Sequence, residues 1–212
     1  MPKIIGESLA SHRELTRTRL FEALGSLMGE QSFESITMSQ IAERAGVGRT
    51  AVYNHFADKE VLLLAYMRQV TEEFTRVLTA RLESEPDPLM RLRIYIRAHL
   101  QMISRYHVKA GTGLRRQMSG QGASHLHDHA GLVGEVLIGI LDEAMERGLI
   151  VEQNTLGAVH LIHATLQGQR LPQDPAHRES ALLLVETFIL RGLGASEENV
   201  CQVTASSLAS GE

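Results

Sequence analysis

The sequence predicts an all-α fold of about nine helices. Apolar residues recur at intervals of three and four along most of the chain, with no strand-like alternation and no internal repeat. Helix starts are plain: Ser11-His-Arg-Glu14 and Thr37-Met-Ser-Gln40 fit the capping box. Asp87-Pro88 and Asp174-Pro175 each set an N-cap before the residue that best suits the first helical position. Only five prolines interrupt 212 residues rich in Leu, Ala, Glu, Arg and Met, which favours helix over sheet.

In chain order, the first box predicts an amphipathic helix from His12 to about Gly29, with Leu15, Leu20, Leu24, Leu27 and Met28 at helical spacing. The second predicts a short helix through Ile41, Ala42 and Ala45. Gly46 stops it, because glycine tolerates the left-handed conformation of a sharp turn. Another short helix follows over about Gly48 to Phe56. Asp58 is placed to cap a fourth, through Leu62, Leu63, Tyr66, Val70, Phe74 and Leu78 to about Ser84.

Asp87-Pro88 opens a helix to about His107. Lys109–Met118 reads as a short helix and Ser119–Ser124 as a loop. A long helix through Leu132, Val133, Val136, Leu137, Ile140, Leu141 and Ala144 is expected to end at Gly148. Asn154 caps the next, to about Gln167, and Asp174-Pro175 opens another to Arg191, terminated by Gly192. The small, polar residues after Gly194 predict a frayed tail. The chain is thus expected to divide into residues 1–62, 63–194 and a flexible 195–212.

A lone Cys201 excludes an internal disulfide and a cysteine-based metal cluster, and suits a reducing compartment. The richest apolar runs, Val61–Met67 and Ala181–Leu190, are too short to span a bilayer, and nothing near Met1 looks like a secretory signal. The expectation is a soluble cytoplasmic protein without a membrane partner. A formal net charge of −4 argues against a uniformly basic nucleic-acid binder, and leaves room for basic residues gathered on one face.

One stretch, Val47 to Glu60, concentrates Tyr53, His55 and Phe56 in a chain with no tryptophan. On a helical wheel Val52 and Phe56 share one side, and Arg49, Thr50, Tyr53 and Asn54 form the adjoining polar sector. A helix this short holds only when neighbours pin its apolar side, a part that falls to the Leu20, Leu24 and Ile41 faces. Two short helices joined by a tight glycine turn, the second presenting such a sector, describe a helix-turn-helix.

In that geometry the second helix enters the DNA major groove. Arg49 can donate twice to a guanine edge, and Thr50 or Ala51 can meet a thymine methyl. Tyr53, His55 and Lys59 lie further along, within reach of phosphates. The alternative is a helical hairpin whose polar face is merely solvated. Arg13, Arg17, Arg19 and Arg44 add basic charge nearby, offset by Glu14, Glu22, Glu30, Glu34 and Glu43.

From about Leu15 to Leu63 the chain resembles the DNA-binding region of the tetracycline-repressor (TetR) family. The likeness is carried by Phe33, Thr37, Ile41, Ala42, Ala45, Gly46, Val47, Tyr53, His55, Phe56, Lys59, Glu60 and Leu62. It implies a homodimeric transcriptional regulator, usually a repressor. Such a protein has an N-terminal three-helix helix-turn-helix domain and a C-terminal helical domain that binds a small inducer and dimerises. The resemblance implies that Thr37 touches phosphate, that Arg49, Thr50 and Tyr53 face the groove, and that Tyr53, His55 and Lys59 hold backbone phosphates. Gly48 departs from it: a serine often stands there in the family, capping the helix, and glycine has no side chain to make a contact.

Beyond about Ala65 the likeness lies in helix pattern alone. Leu161 and Ile162 on one helix, with Leu182, Leu183, Val185, Ile189 and Leu190 on another, are broader apolar surfaces than one core contact requires. They are the candidate dimer interface, the alternative being burial within one subunit.

Histidines cluster as His125, His127 and His129, as His160 and His163, and as His99 and His107. His125 and His129, with His163 or His99, could ligate a transition metal or haem iron, although no HExxH or CxxC pattern accompanies them. An apolar pocket with a few polar anchors is the stronger expectation. Its candidate lining is His99, Met102, Ile103, Tyr106, Met118, His125, His129, Val133, Leu137, His163 and Leu166.

The sequence is therefore read as a ligand-responsive regulator, not an enzyme. It is expected to be a homodimeric repressor released from a palindromic double-stranded operator by a small molecule, with no cofactor. Two alternatives remain. One is a metal- or haem-sensing regulator of the same fold; the other is a histidine-based helical metalloenzyme, for which the required Glu-x-x-His repeats are missing.

Overall fold

The computed structural model describes residues 3–106 and 134–206, among which there are nine α-helices, one 3-10 turn and no strand. The helices are α1 (Lys3–Glu30), α2 (Met38–Ala45), α3 (Arg49–His55), α4 (Lys59–Leu82), α5 (Pro88–Tyr106), α6 over 134–146, α7 (Thr155–Gln167), α8 (Pro175–Gly192) and α9 (Glu197–Ala205). The 3-10 turn, Phe33–Ser35, lies between α1 and α2. No described helix is long and apolar enough to cross a membrane. The helix expected over 109–118 and the loop over 119–124 lie outside the described residues.

Most starts are those the sequence announces. Thr37 Oγ1 accepts from the Gln40 amide at 3.3 Å, and Gln40 Oε1 accepts from the Thr37 amide at 2.8 Å, closing the predicted capping box. Asp58 Oδ1 accepts from the Glu60 and Val61 amides at the head of α4. Asn154 and Asp174 cap α7 and α8 through the amides of Gly157 and His177.

The first start is a correction: α1 begins at Lys3, not His12, so Ser11 lies inside the helix. Residues 3–10 contain no proline. Gly6, which weakens a helix by about 1 kcal/mol relative to alanine, is too small an obstacle to stop one already growing.

The chain divides into two compact units, with the boundary inside α4 after Val70. In the first, Leu20, Leu24, Ile41, Val52, Leu62 and Leu63 are fully buried. The Phe21 ring packs on Phe56 and Tyr66, with centroids 5.7 and 5.9 Å apart. Tyr66 thereby belongs to this core, which carries the unit past the 62/63 boundary read from the sequence.

The second unit buries Leu78, Leu89, Leu92, Tyr95, Ile96, Leu137, Leu141, Ile162, Leu166, Val185 and Leu190 in one cluster. An ion network lies within it. Glu186, fully buried, accepts from Arg93 Nε at 2.8 Å and from Arg97 Nε, and Arg97 also grips Glu179 with both terminal nitrogens. Arg93 Nη1 donates to the carbonyls of Val203 and Ser206, both at 2.6 Å, so a buried arginine of α5 satisfies the free end of α9.

That helix is itself a correction to the expected flexible tail at 195–212, since residues 197–205 are ordered as α9. Ser196 Oγ accepts from the Asn199 amide, and Val200 and Val203, three apart, are buried. The turn before it differs too. α8 runs through Gly192, and the left-handed residue is Gly194, at φ 77°, where a Cβ would lie 2.6 Å from Val151 Cγ1.

Candidate functional site

Helices α2 and α3 meet through Gly46, whose φ of 65° lets the chain reverse, and the Val47 amide closes on the Ala42 carbonyl at 3.0 Å. Gly48 starts α3 without a side-chain cap, at φ −63° and ψ 145°. Val52 is fully buried and Phe56 is 7% exposed, while Arg49, Thr50, Tyr53 and Asn54 face solvent, Tyr53 at 49%. The division read from the wheel holds in the fold: Phe56 inward, Tyr53 outward. The seven-residue helix presents an arginine, a hydroxyl, a phenol and an amide on one open face, the donor and acceptor set that reads base edges.

Three flanking residues have particular surroundings. Thr37 is exposed, and its hydroxyl also donates to Gln40 Oε1 at 2.9 Å, so the group that caps α2 stands at the surface. His55 is half-buried. Burial first, then the guanidinium charges of Arg13 and Arg17, hold its pKa below the ordinary histidine value, so it is mainly neutral near pH 7. Arg17 places its guanidinium carbon 5.2 Å from the Phe21 ring centroid. The shared field puts Arg13 and Arg17, four apart on α1, beside the end of α3. Sequence reasoning assigned neither a contact, and that i,i+4 spacing was the available signal.

Two basic residues do other work than the sequence suggested. Lys59 Nζ donates to the carbonyls of Phe33, Glu34 and Ile36 at 3.0, 2.8 and 3.0 Å and lies 4.9 Å from the Phe33 ring centroid. All three ammonium hydrogens are engaged, so Lys59 clamps the 3-10 turn to α4, a use the sequence did not suggest. Arg44, expected to flank the reading surface, forms a bidentate pair with Glu30 at 2.7 and 2.9 Å and donates to Ser26, which ties α2 to α1.

In the second unit, the structure gathers part of the expected ligand lining. His99 is 6% exposed and His163 is partly buried, their ring centroids 5.3 Å apart. Tyr95, which the sequence reading omitted, joins them: its hydroxyl lies 2.7 Å from His163 Nε2. Leu137 and Leu166 are fully buried members of the core, Ile103 is buried and Met102 partly so. Tyr106 ends α5. Met118, His125, His129 and Val133 lie outside the described residues. Among those described, no three or more His, Cys, Asp or Glu side chains converge on a point that could hold a metal ion.

The expected dimer residues sort into two sets. Ile162, Leu182, Val185, Ile189 and Leu190 are buried within the unit, so they serve its own core, and Leu183 is partly buried. For those five this is the alternative the sequence left open, burial within one subunit. Leu161, at 72% exposure, stays outside. With it stand three residues the sequence reading missed: Leu156 on α7, and Leu184 and Phe188 on α8, at 60%, 71% and 63%. Leu184 and Phe188 are four apart, the i,i+4 spacing that marks a shared helix face.

Comparisons agree with the geometry. Residues 20–66, which contain α2 and α3, match the family described as "Bacterial regulatory proteins, tetR family". An HTH-type transcriptional regulator of Mycobacterium tuberculosis (strain CDC 1551 / Oshkosh) is 30% identical over 94 residues, 44% of this chain and 46% of that protein. The chain thus spans about half the length of the curated relative it matches.

Among solved structures, a tetR-family regulatory protein from Rhodococcus RHA1 superposes with a TM-score of 0.71 at 20% identity, covering 86% of this chain and 98% of that one. AibR, solved with isovaleryl coenzyme A and operator DNA, gives 0.71 at 17%, covering 82% and 97%. A shared helix-turn-helix sequence and a shared fold converge: residues 20–66 are a DNA-binding domain of the tetR-family type, and the described chain has the fold of tetR-family regulatory proteins.

Proposed function

We propose that the protein is a ligand-responsive, DNA-binding transcriptional regulator. It would act as a homodimeric repressor that a small molecule, bound in the second unit, releases from a palindromic operator. The observation that carries this reading is the outward set on α3, Arg49, Thr50, Tyr53 and Asn54, held by a buried Val52 and Phe56 behind it. Thr37 and His55 stand at either end of α2–α3 as phosphate contacts that set register, and Arg13 and Arg17 extend the basic edge.

Dimerisation rests on Leu156, Leu161, Leu184 and Phe188, whose exposure leaves an apolar face on α7 and α8. A second copy covering that face buries four large side chains, each worth about 1.5–3 kcal/mol on full burial. Paired recognition helices would then read half-sites ~34–36 Å apart. AibR was solved with both an acyl coenzyme A and operator DNA, which supports the same two-ligand logic here. A ligand that favours the DNA-incompetent state by ~1–3 kcal/mol changes occupancy several-fold or more.

The test is selection of genomic fragments on the purified protein, followed by sequencing. A recurring inverted repeat with half-sites about one helical turn apart is the expected result. Fragments without a shared sequence would refute specific reading, and a lone half-site would refute the dimer.

A further inference from the structure

Where the second unit is most aromatic, it also leaves a polar group without a mate. His99 on α5 is 6% exposed, and among the described residues neither of its ring nitrogens has a hydrogen-bond partner. Tyr95, one turn earlier, lies 5.7 Å away between ring centroids. His163 of α7 stacks at 5.3 Å and 22°, and Phe74 of α4 meets His99 edge-on at 5.9 Å and 87°. Tyr95 and His163 satisfy each other across 2.7 Å. Buried imidazoles are ordinarily paired, because an N–H and a lone pair stripped of water recover that loss only through a new bond.

Charge narrows what can supply the bond. Arg93 and Arg97, the cations on this stretch of α5, are occupied by Glu186 and Glu179. Burial holds His99 far below the ordinary histidine value, at about 3, and lowers His163 as well, so both rings are neutral at physiological pH. A neutral imidazole offers one donor and one acceptor and no net charge. With Arg93 and Arg97 taken, a carboxylate or phosphate would find no free counter-charge on this stretch of α5 among the described residues. A hydroxyl on an aromatic ring fits these features: uncharged, it can give or take the bond at one imidazole nitrogen, and its ring meets the faces and edges already present.

We propose that His99 is the polar anchor of a ligand site in the second unit, and that the site takes an uncharged aromatic hydroxyl compound of the phenol class. The proposal rests on the reading that this unit binds the small molecule that controls DNA release. His163 is the partly exposed member of the stack. Met102 and Ile103, one turn beyond His99, continue its side of α5 with apolar chain.

The full-length protein is titrated with three probes that share one ring: phenol, toluene and benzoate. Phenol is expected to shift the His99 imidazole resonances in NMR spectra and to bind about three- to tenfold more tightly than toluene, the range of one neutral hydrogen bond. Benzoate is expected to leave His99 unmoved. His99→Phe keeps the ring volume without the nitrogens. It should erase the preference for phenol over toluene while melting no lower than the parent, an outcome a purely structural histidine would not give. His99→Leu makes the same comparison should the phenylalanine not be accommodated.

Toluene matching phenol, benzoate matching phenol, a preference that survives in the variants, or no response to any probe overturns the proposal. The same preparation is assayed on its selected DNA. Specific DNA binding without a phenol preference ends the ligand class and leaves the regulator reading standing. A phenol preference without specific DNA binding supports the site and ends the regulator reading.

Discussion

In the first unit the polar groups of α3 stand in solvent, whereas in the second Arg93, Glu186 and His99 sit at 3%, 0% and 6% exposure. The two arrangements serve different chemistry. Groups facing water are already hydrated, so they exchange water for a base edge or phosphate at modest cost, and strength comes from how many act together. Groups held away from water must be answered inside the fold. Glu186 is answered by two arginines, while His99 has no hydrogen-bond partner among the described residues.

The sharpest way to break this contrast is Glu186→Ala. It leaves the buried Arg93 guanidinium without a carboxylate and takes one of two from Arg97, so unfolding in urea should show a loss of about 3–5 kcal/mol. A loss below about 1 kcal/mol, the level of exposed ion pairs, would show that the network is not the buried centre described.

Lys59→Met comes next and tests whether a basic residue of the first unit can behave like one of the second. Removing the donor to three carbonyls should lower stability by about 1.5–3 kcal/mol. The salt dependence of DNA binding should stay unchanged, since no phosphate contact is lost. A shallower salt slope at unaltered stability would restore the phosphate role.

Acid supplies the third comparison. Unfolded chains take up a proton on histidine near pH 6.5, while folded His99 resists one until about pH 3. Protons therefore favour the unfolded state, and His99 draws stability down as pH falls through that window, by about 2 kcal/mol at pH 5. His99→Phe should remove that part of the slope, measured as the difference between the two proteins' unfolding midpoints across pH 7 to 5. Parallel curves would show that His99 is protonated in the folded protein.

Smallest in stability, though not in function, is Arg49→Ala. Exposed, and without a side-chain bond among the described residues, Arg49 should change unfolding by no more than about 0.5 kcal/mol. Specific binding should weaken by about 1–3 kcal/mol, with base choice relaxed at one operator position. Undiminished binding across salt concentrations would remove Arg49 from the readout.

What the sequence disclosed follows the same divide. Thr37 with Gln40, the turn at Gly46 and the opposition of Val52 and Phe56 to Tyr53 are relations among residues three to ten apart, so periodicity and capping rules reach them. The clamp made by Lys59 went unread because its partners, Phe33 to Ile36, are more than twenty residues away. Tyr95 was passed over because only α7 brings His163 to it. Composition misled at the tail, where Ser196, Val200 and Val203 outweigh their polar neighbours once Arg93 receives the end of α9. On α8 the period was read correctly but the phase was not. A surface rich in leucine on several sides leaves the inward side to be fixed by what packs against it, and Leu184 and Phe188 emerged as the outer stripe.

Gly48 carries a consequence of its own. Its backbone angles suit any residue, and a Cβ placed there would meet no neighbouring atom within 4 Å. A serine could take the place, cap the reading helix and firm it by a few tenths of a kcal/mol without disturbing Arg49 beside it. The firmness of α3 and the identity of its exposed arginine are thus set at adjacent positions, and one can change without the other.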